Sequence, residues 1–163
     1  MSVQNCRVGL FSKRQVRAGA KSLPRLTGIG DPERDWIDAH LGVVADSGTD
    51  LDDVLQIRAL YERSLAGWRR INPPERDDPK VMINAIGMVY GEHLIRRAPL
   101  AWMIAEDEHG TELALYEPRR DTLVYPANLV AEHWAAEDAS GEFLVADAER
   151  VVDQVAGRRR APR

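Results

Sequence analysis

The sequence is poor in the residues on which disulfide-stabilised, metal-dependent and membrane proteins rely. Cys6 is the one cysteine among 163 residues, so an intrachain disulfide is excluded and a reducing compartment is favoured. No CxxC or HExxH pattern occurs, and no glycine-rich loop leads into Lys-Ser/Thr, so zinc-site and P-loop chemistry are not indicated. No apolar run approaches the roughly twenty residues that span a bilayer. These absences predict a cytoplasmic protein with no cofactor, no metal and no membrane segment.

Lysine is scarce as well. Three Lys stand beside nineteen Arg, and Ala, Val, Gly and Asp are abundant. This bias is typical of translation from a GC-rich genome, so we expect a bacterial, actinobacterial-like source. A chain of 163 residues that is 44% hydrophobic and 29% charged suits one globular domain with a core of its own.

Acidic residues are absent from both ends of the chain. Residues 1–30 hold six Lys or Arg and residues 158–163 hold four Arg, whereas all 26 Asp and Glu lie in residues 31–157 with 12 basic residues, a net charge of −14. Such a body repels nucleic acid and anionic membranes, although basic tails can act as arms on phosphate. We predict a basic tail without ordered structure over 1–30, a single domain over 31–157 and a basic tail over 158–163.

Apolar residues at helical spacing predict three helices before the middle of the chain and two near its end. Asp31-Pro32-Glu33 places an N-cap before a proline at the first helical position. Thr49 or Asp50 is expected to cap the second helix, and the third runs from about Pro79 to Arg97. Pro126 is expected to begin the fourth helix, and the fifth carries the apolar residues between Leu144 and Val155.

Alternating apolar residues predict three strands between the third and fourth helices. They lie at Leu100–Glu106, Glu112–Tyr116 and Thr122–Tyr125, and the Gly110 turn makes the first pair a hairpin. The predicted fold is α+β, with N-terminal helices, a three-stranded antiparallel β-meander and C-terminal helices. It forms a single two-layer domain in which helices cover one face of the sheet.

Gly87 and Gly91, together with Asn84, form a narrow strip of small residues on the third helix. Each of the two glycines costs about 1 kcal/mol relative to Ala in a helix interior, so we expect another element to pack closely against the strip. Glu92 follows the strip and is expected to pair with Arg96 at i,i+4.

The middle of the chain carries a set of short elements, which are Asn84-Ala85-Ile86-Gly87, Gly91-Glu92, Trp102, Asp107-Glu108-x-Gly110-Thr111-Glu112 and Tyr125-Pro126. Together, over about residues 50–138, they resemble the bacterial domain of unknown function 3806 family. The resemblance implies a compact domain of helices and a meander, and it implies no activity.

The candidate ligand or partner site has two parts. The first could supply acid–base or metal-binding groups, but it lacks the paired spacing of metal ligands, and turn or helix-surface roles explain its residues more simply. The second is a basic spot, which an anionic ligand or a partner loop could use. The first part comprises Glu92, His93, Trp102, Asp107, Glu108 and His109, and the second comprises Arg119 and Arg120, with Arg96 and Arg97 at the end of the third helix.

The lack of a catalytic arrangement favours a non-catalytic domain that binds another protein through the uncovered face or the edge of its sheet. The alternative is a small-ligand-binding protein or an enzyme that uses Glu92, His93 and the Asp107–His109 hairpin. These two functions differ in whether the side chains converge, because catalytic partners lie within hydrogen-bond reach or one water of each other. Composition leaves the oligomeric state open.

Overall fold

A computed structural model describes residues 23–157, which contain five α-helices and one antiparallel sheet. None of the described helices combines the length and the apolar character that a bilayer crossing requires. The elements in chain order are β1 (Arg25–Gly28), α1 (Asp31–Val44), α2 (Val54–Arg70), α3 (Lys80–Arg97), β2 (Ala101–Asp107), β3 (Gly110–Glu117), β4 (Thr122–Val124), α4 (Pro126–Ala135) and α5 (Glu142–Val155), with short 3-10 turns at Ala45–Ser47 and Pro73–Glu75.

The helix starts follow from proline and acidic side chains. Pro32 and Pro126 occupy first-turn positions of α1 and α4, where their missing N–H groups cost no hydrogen bond. Glu33 accepts a hydrogen bond from the Gly30 N–H at 2.8 Å, so Gly30 rather than Asp31 caps α1. The second helix begins later than predicted, because its N-cap is Asp53, whose side chain accepts from the Leu55 N–H.

The sheet has four strands in the order β1-β2-β3-β4, so the prediction of three strands is corrected. The added strand is β1, which pairs antiparallel with β2 from Arg25 opposite Glu106 to Gly28 opposite Met103. It lies within the stretch that we assigned to the N-terminal tail. Four residues carry too little alternation to predict a strand, and the pairing that holds them comes from a distant part of the chain. Residues 1–22 and 158–163 lie outside the described part.

Alternation along the strands gives the sheet two different faces. On one side, the packed face, most of the large apolar side chains belong to the hydrophobic core under α3. On the other side, the open face, the larger side chains are half-buried and lie outside that core. The packed face carries Trp102, Leu115 and Val124, and the open face carries Leu26, Met103, Tyr116 and Leu123 around the buried Ala105 and Ala114.

Candidate functional site

The glycine strip of α3 is a point of close approach, as its sequence predicts. A Cβ at Gly87 would lie 2.6 Å from the Cα of Ala127 at the start of α4. A Cβ at Gly91 would overlap two ring carbons of Trp102. Real side chains do not approach other atoms this closely at either position. The space that two side chains would need is occupied by α4 and by the Trp102 ring.

Glu92 connects three elements through one carboxylate oxygen. Its Oε1 accepts from Trp102 Nε1 on β2 and from Arg34 Nη1 on α1, each at 3.0 Å, and the Glu92 side chain is 18% exposed. The predicted pair with Arg96 is wrong, because Arg96 lies 2.9 Å from Asp52 in the segment before α2. The helix is rotated so that Glu92 faces α1 and the sheet. These two hydrogen bonds hold α3 against α1 and β2.

His93 is buried and faces a different neighbour from Glu92. Its Nδ1 lies 2.8 Å from the carbonyl oxygen of Leu51, and because a carbonyl only accepts, this nitrogen carries the hydrogen. Burial lowers the pKa of the imidazole, and the charge of Arg97 lowers it further against the opposing effects of the Leu51 bond and two nearby aspartates. The ring is therefore a neutral donor that holds the segment before α2 against α3.

The acidic hairpin between β2 and β3 lies away from Glu92. Asp107 accepts from the His109 N–H at 2.8 Å, as turn residues commonly do, and the exposed His109 Nε2 lies 3.4 Å from Glu108. Five residues of extended strand separate Trp102 from Asp107, a distance of about 16 Å. The structure therefore brings Glu92 and Trp102 together and places the hairpin residues elsewhere.

Arg119 and Arg120 lie at the opposite end of the sheet, in the turn between β3 and β4. Their backbone N–H groups donate to the buried carboxylate of Glu117 at 2.9 and 2.8 Å. The Arg120 guanidinium lies against Gly157, at the C-terminal end of α5, where a positive charge is favourable. The length of β3 separates this turn from the hairpin by about 23 Å.

The candidate residues thus occupy three separate places, on α3, at the β2–β3 hairpin and at the β3–β4 turn, and the hydrogen bonds described above join them to other parts of the same domain. Within residues 23–157, no group of three or more His, Cys, Asp or Glu side chains is arranged to hold a metal ion. A half-buried carboxylate, a neutral histidine and an exposed acidic turn can each bind a polar group, but their separation gives no common centre for a reaction.

Comparison with known proteins shows to which family the chain belongs. The model of a family described as Domain of unknown function (DUF3806) matches residues 62–143. The chain belongs to this family. No curated protein and no solved structure matches it. The matched stretch begins and ends later than the one expected from the sequence, and it runs from α2 to the start of α5.

Most of the elements that resemble DUF3806 meet at one packing junction, whereas the hairpin of residues 107–112 lies away from it. Gly91 lies against the Trp102 ring and Pro126, while Glu92 accepts from the Trp102 indole. Tyr125 is the N-cap residue of α4, and Gly110 has a φ of 140° at the hairpin, where a side chain would be strained. These contacts explain the elements as structural devices that join α3, α4 and the sheet.

The sequence analysis missed two features of this domain. Arg34 was not recognised as the partner of Glu92, since the two residues lie 58 positions apart. An uncovered face of the sheet was predicted, but its residues were not named, because the strand pattern was assigned from Trp102 and Ile104 while Met103 between them received no role. Met103, an apolar residue on the opposite side of β2 from Trp102 and Ile104, was the signal in the sequence that this face is apolar as well.

Proposed function

We propose that this DUF3806 domain is a non-catalytic protein-binding module of the bacterial cytoplasm, and that its binding surface is the open face. The observation that carries the proposal is the set of half-buried side chains outside the hydrophobic core, which are Leu26, Met103, Tyr116 and Leu123. Tyrosine and methionine are enriched at protein interfaces, and a contiguous apolar surface with a polar rim is typical of a docking site.

The charge of the domain supports a protein partner over nucleic acid. Residues 31–157 carry a net charge of −14, so phosphate backbones are repelled over most of the body. The separation of Glu92, His93 and the hairpin supports a binding role over a catalytic one, because no two of these places share a reacting centre.

The test compares three full-length baits in a lysate from a GC-rich bacterium. The wild-type chain is compared with a Met103→Ser, Leu123→Ser variant and with a matched Leu55→Ser, Val81→Ser variant, whose side chains are exposed on α2 and α3. Circular dichroism checks that all three baits are folded. We expect a captured protein that the wild type and the matched variant retain and that the open-face variant loses at least about tenfold, consistent with loss of an apolar anchor.

The captured protein is then purified and titrated against the same three chains. Equal affinity for all three would contradict the assignment of the open face. If a Glu92→Gln bait instead loses the captured protein, the result would support the alternative in which the polar junction on α3 binds a ligand.

A further inference from the structure

The segment between α2 and α3, residues 72–79, folds over an aromatic side chain and is called the strap below. The guanidinium of Arg76 lies over the Trp68 ring, with its Cζ 4.6 Å from the ring centroid. Trp68 Nε1 in turn donates to the carbonyl oxygen of Asp77 at 3.0 Å. Every residue of the strap is exposed or half-buried, and each lies outside the hydrophobic core. The strap is therefore held by a few contacts at the surface.

The end of α2 supplies the other contacts of the Arg76 guanidinium. Its Nε donates to the carbonyl oxygen of Ile71 at 2.8 Å, and its Nη2 donates to that of Arg69 at 3.0 Å. The sequence leaves the Arg69 carbonyl open, because Pro73 stands four positions later and has no N–H. Carbonyl groups at a helix C-terminus also carry a partial negative charge. Two acceptors and an aromatic ring thus form a site for a planar cation.

The core of the domain, and not only the strap, positions the Trp68 ring. Its centroid lies 5.8 Å from that of the buried Trp134, which in turn lies 6.0 Å from the buried Tyr61. The Trp134 indole N–H is buried and has no hydrogen-bond partner within residues 23–157, so this aromatic cluster holds a donor that the domain itself does not use. The ring therefore keeps its place when the strap moves away.

Local stability and charge both favour exchange of this cation for one from another chain. The hydrogen bonds of the strap to α2 lie at exposed positions, so opening the strap breaks far fewer contacts than unfolding the domain. Residues 31–157 carry a net charge of −14, which attracts a basic segment. A guanidinium can stack on the ring and donate to two carbonyl groups at once, whereas the compact ammonium of lysine lacks this planar fork.

We propose that the end of α2 and the Trp68 ring form a binding site for an arginine side chain of a partner protein, and that Arg76 fills this site in cis as a displaceable plug. The strap then opens when the partner's arginine takes the place of Arg76. This inference goes beyond the proposed function, because it uses a different part of the domain and does not depend on the open face.

The test titrates the full chain with two short peptides, acetyl-Gly-Arg-Gly-amide and acetyl-Gly-Lys-Gly-amide, and follows the NMR signal of the Trp68 indole N–H. We expect the Arg76→Ala variant to bind the arginine peptide and to bind the lysine peptide at least about tenfold more weakly. The wild type should bind the arginine peptide at least about tenfold more weakly than the variant, because its strap must open first. Lack of binding to the variant, or equal affinities in either comparison, would overturn the proposal.

Three further variants identify what forms and fills the site, and circular dichroism checks that each is folded. Arg70→Ala removes an exposed charge from the same helix end and leaves Arg76 in place, so it should behave like the wild type. Arg76→Lys keeps the charge without the planar fork, so it should bind the arginine peptide nearly as well as Arg76→Ala does. Trp68→Leu combined with Arg76→Ala should abolish binding, as measured from the signals of the peptide. The opposite result for any of the three would contradict an arginine site on Trp68.

Hydrogen exchange tests whether the strap opens separately. The Trp102 indole N–H is bonded to Glu92 on the packed side, so it reports the opening of the core. In the wild type the Trp68 indole N–H should exchange at least about tenfold faster than that of Trp102. Arg76→Ala should raise the Trp68 rate several-fold further and leave the Trp102 rate unchanged. Equal rates in the wild type, or no response of Trp68 to Arg76→Ala, would overturn the displaceable plug, and neither result would affect the bait experiment on the open face.

Discussion

Neighbouring residues of β2 have opposite environments. Trp102 is buried beneath Gly91, Pro126 and Glu92, whereas Met103 is half-buried on the open face and lies outside the hydrophobic core. Both residues are apolar, and both continue the alternation of the strand. The difference comes from what approaches each face, because the glycine strip allows α3 to reach Trp102.

An apolar residue in a strand can therefore lie in either of two environments, the packed core or a half-buried surface. On the packed face, side chains are held by close packing and by the bond from Trp102 to Glu92, so their substitution should lower stability. On the open face, the same kind of side chain is only half-buried and lies outside the core, so its substitution should cost less stability and, under the proposed function, should change association more than folding. The predictions below test that separation, beginning with the largest effect.

Paired truncations on the two faces give the most direct test. Leu115 is 0% exposed on the packed face, so Leu115→Ala should lower the free energy of unfolding by about 3 kcal/mol through lost burial and a cavity. Met103→Ala on the open face should lower it by about 1 kcal/mol or less, since the side chain is already half-exposed. Urea denaturation of both variants measures the difference. Equal losses would mean that the open face is packed as tightly as the core.

The close approach at Gly91 gives the second test. Gly91→Ala should lower the free energy of unfolding by about 2 kcal/mol, because the new methyl group overlaps the Trp102 ring and outweighs the gain in helix propensity. Gly67→Ala is the matched control on α2, where no atom lies within 4 Å of an added Cβ. It should raise stability by up to about 1 kcal/mol. If Gly91→Ala behaved like the control, the strip would not be a contact surface.

The hydrogen bonds of Glu92 on the packed side and of Tyr116 on the open face should also differ in how much they contribute to stability. Glu92 accepts from Trp102 and Arg34 in a partly buried position, so Glu92→Gln should cost about 1 kcal/mol through weaker hydrogen bonds. The Tyr116 hydroxyl on the open face donates to Asp121 at an exposed position, and Tyr116→Phe should produce no measurable change in the urea midpoint. A larger loss for Tyr116→Phe than for Glu92→Gln would reverse the comparison.

Local sequence signals predicted the elements whose causes are local. Pro32 and Pro126 marked two helix starts, and the alternation from residue 100 to residue 116 located the central hairpin. The strand β1 could not be located in this way. It has four residues, and its hydrogen bonds come from β2, which lies more than seventy positions later in the chain.

The contacts of the candidate site could be predicted only in part, because some of them depend on tertiary packing rather than on local sequence. The glycine strip correctly indicated a close neighbour, because two helix-interior glycines are costly unless something replaces their side chains. The partner of Glu92 depends instead on the rotation of α3 about its own axis, which tertiary packing sets. Spacing within the helix favoured Arg96, whereas packing against α1 brought Arg34 within 3.0 Å.

The smallest expected effect concerns pH and the helix that covers the packed face. Burial lowers the pKa of His93 on α3 below the value of about 6.5 expected in the unfolded chain. Above about pH 6.5 both states are neutral and this contribution to stability is complete. As the pH falls below that value, the unfolded chain binds a proton first, so the free energy of unfolding decreases until the folded histidine is also protonated.

The effect is modest because the Leu51 bond and two nearby aspartates favour the charged ring and offset part of the cost of burying its charge. Urea midpoints at pH 7.5, 6.5 and 5.5 measure it, and His93→Gln should remove the dependence over this range. Hydrogen bonds from His133 and Arg58 lower the pKa values of Asp138 and Glu62, so the stability that these carboxylates contribute is complete in this pH range and is lost only at a pH below about 4.5. Identical pH profiles for wild type and His93→Gln would show that the buried imidazole does not govern the acid response of the packed side.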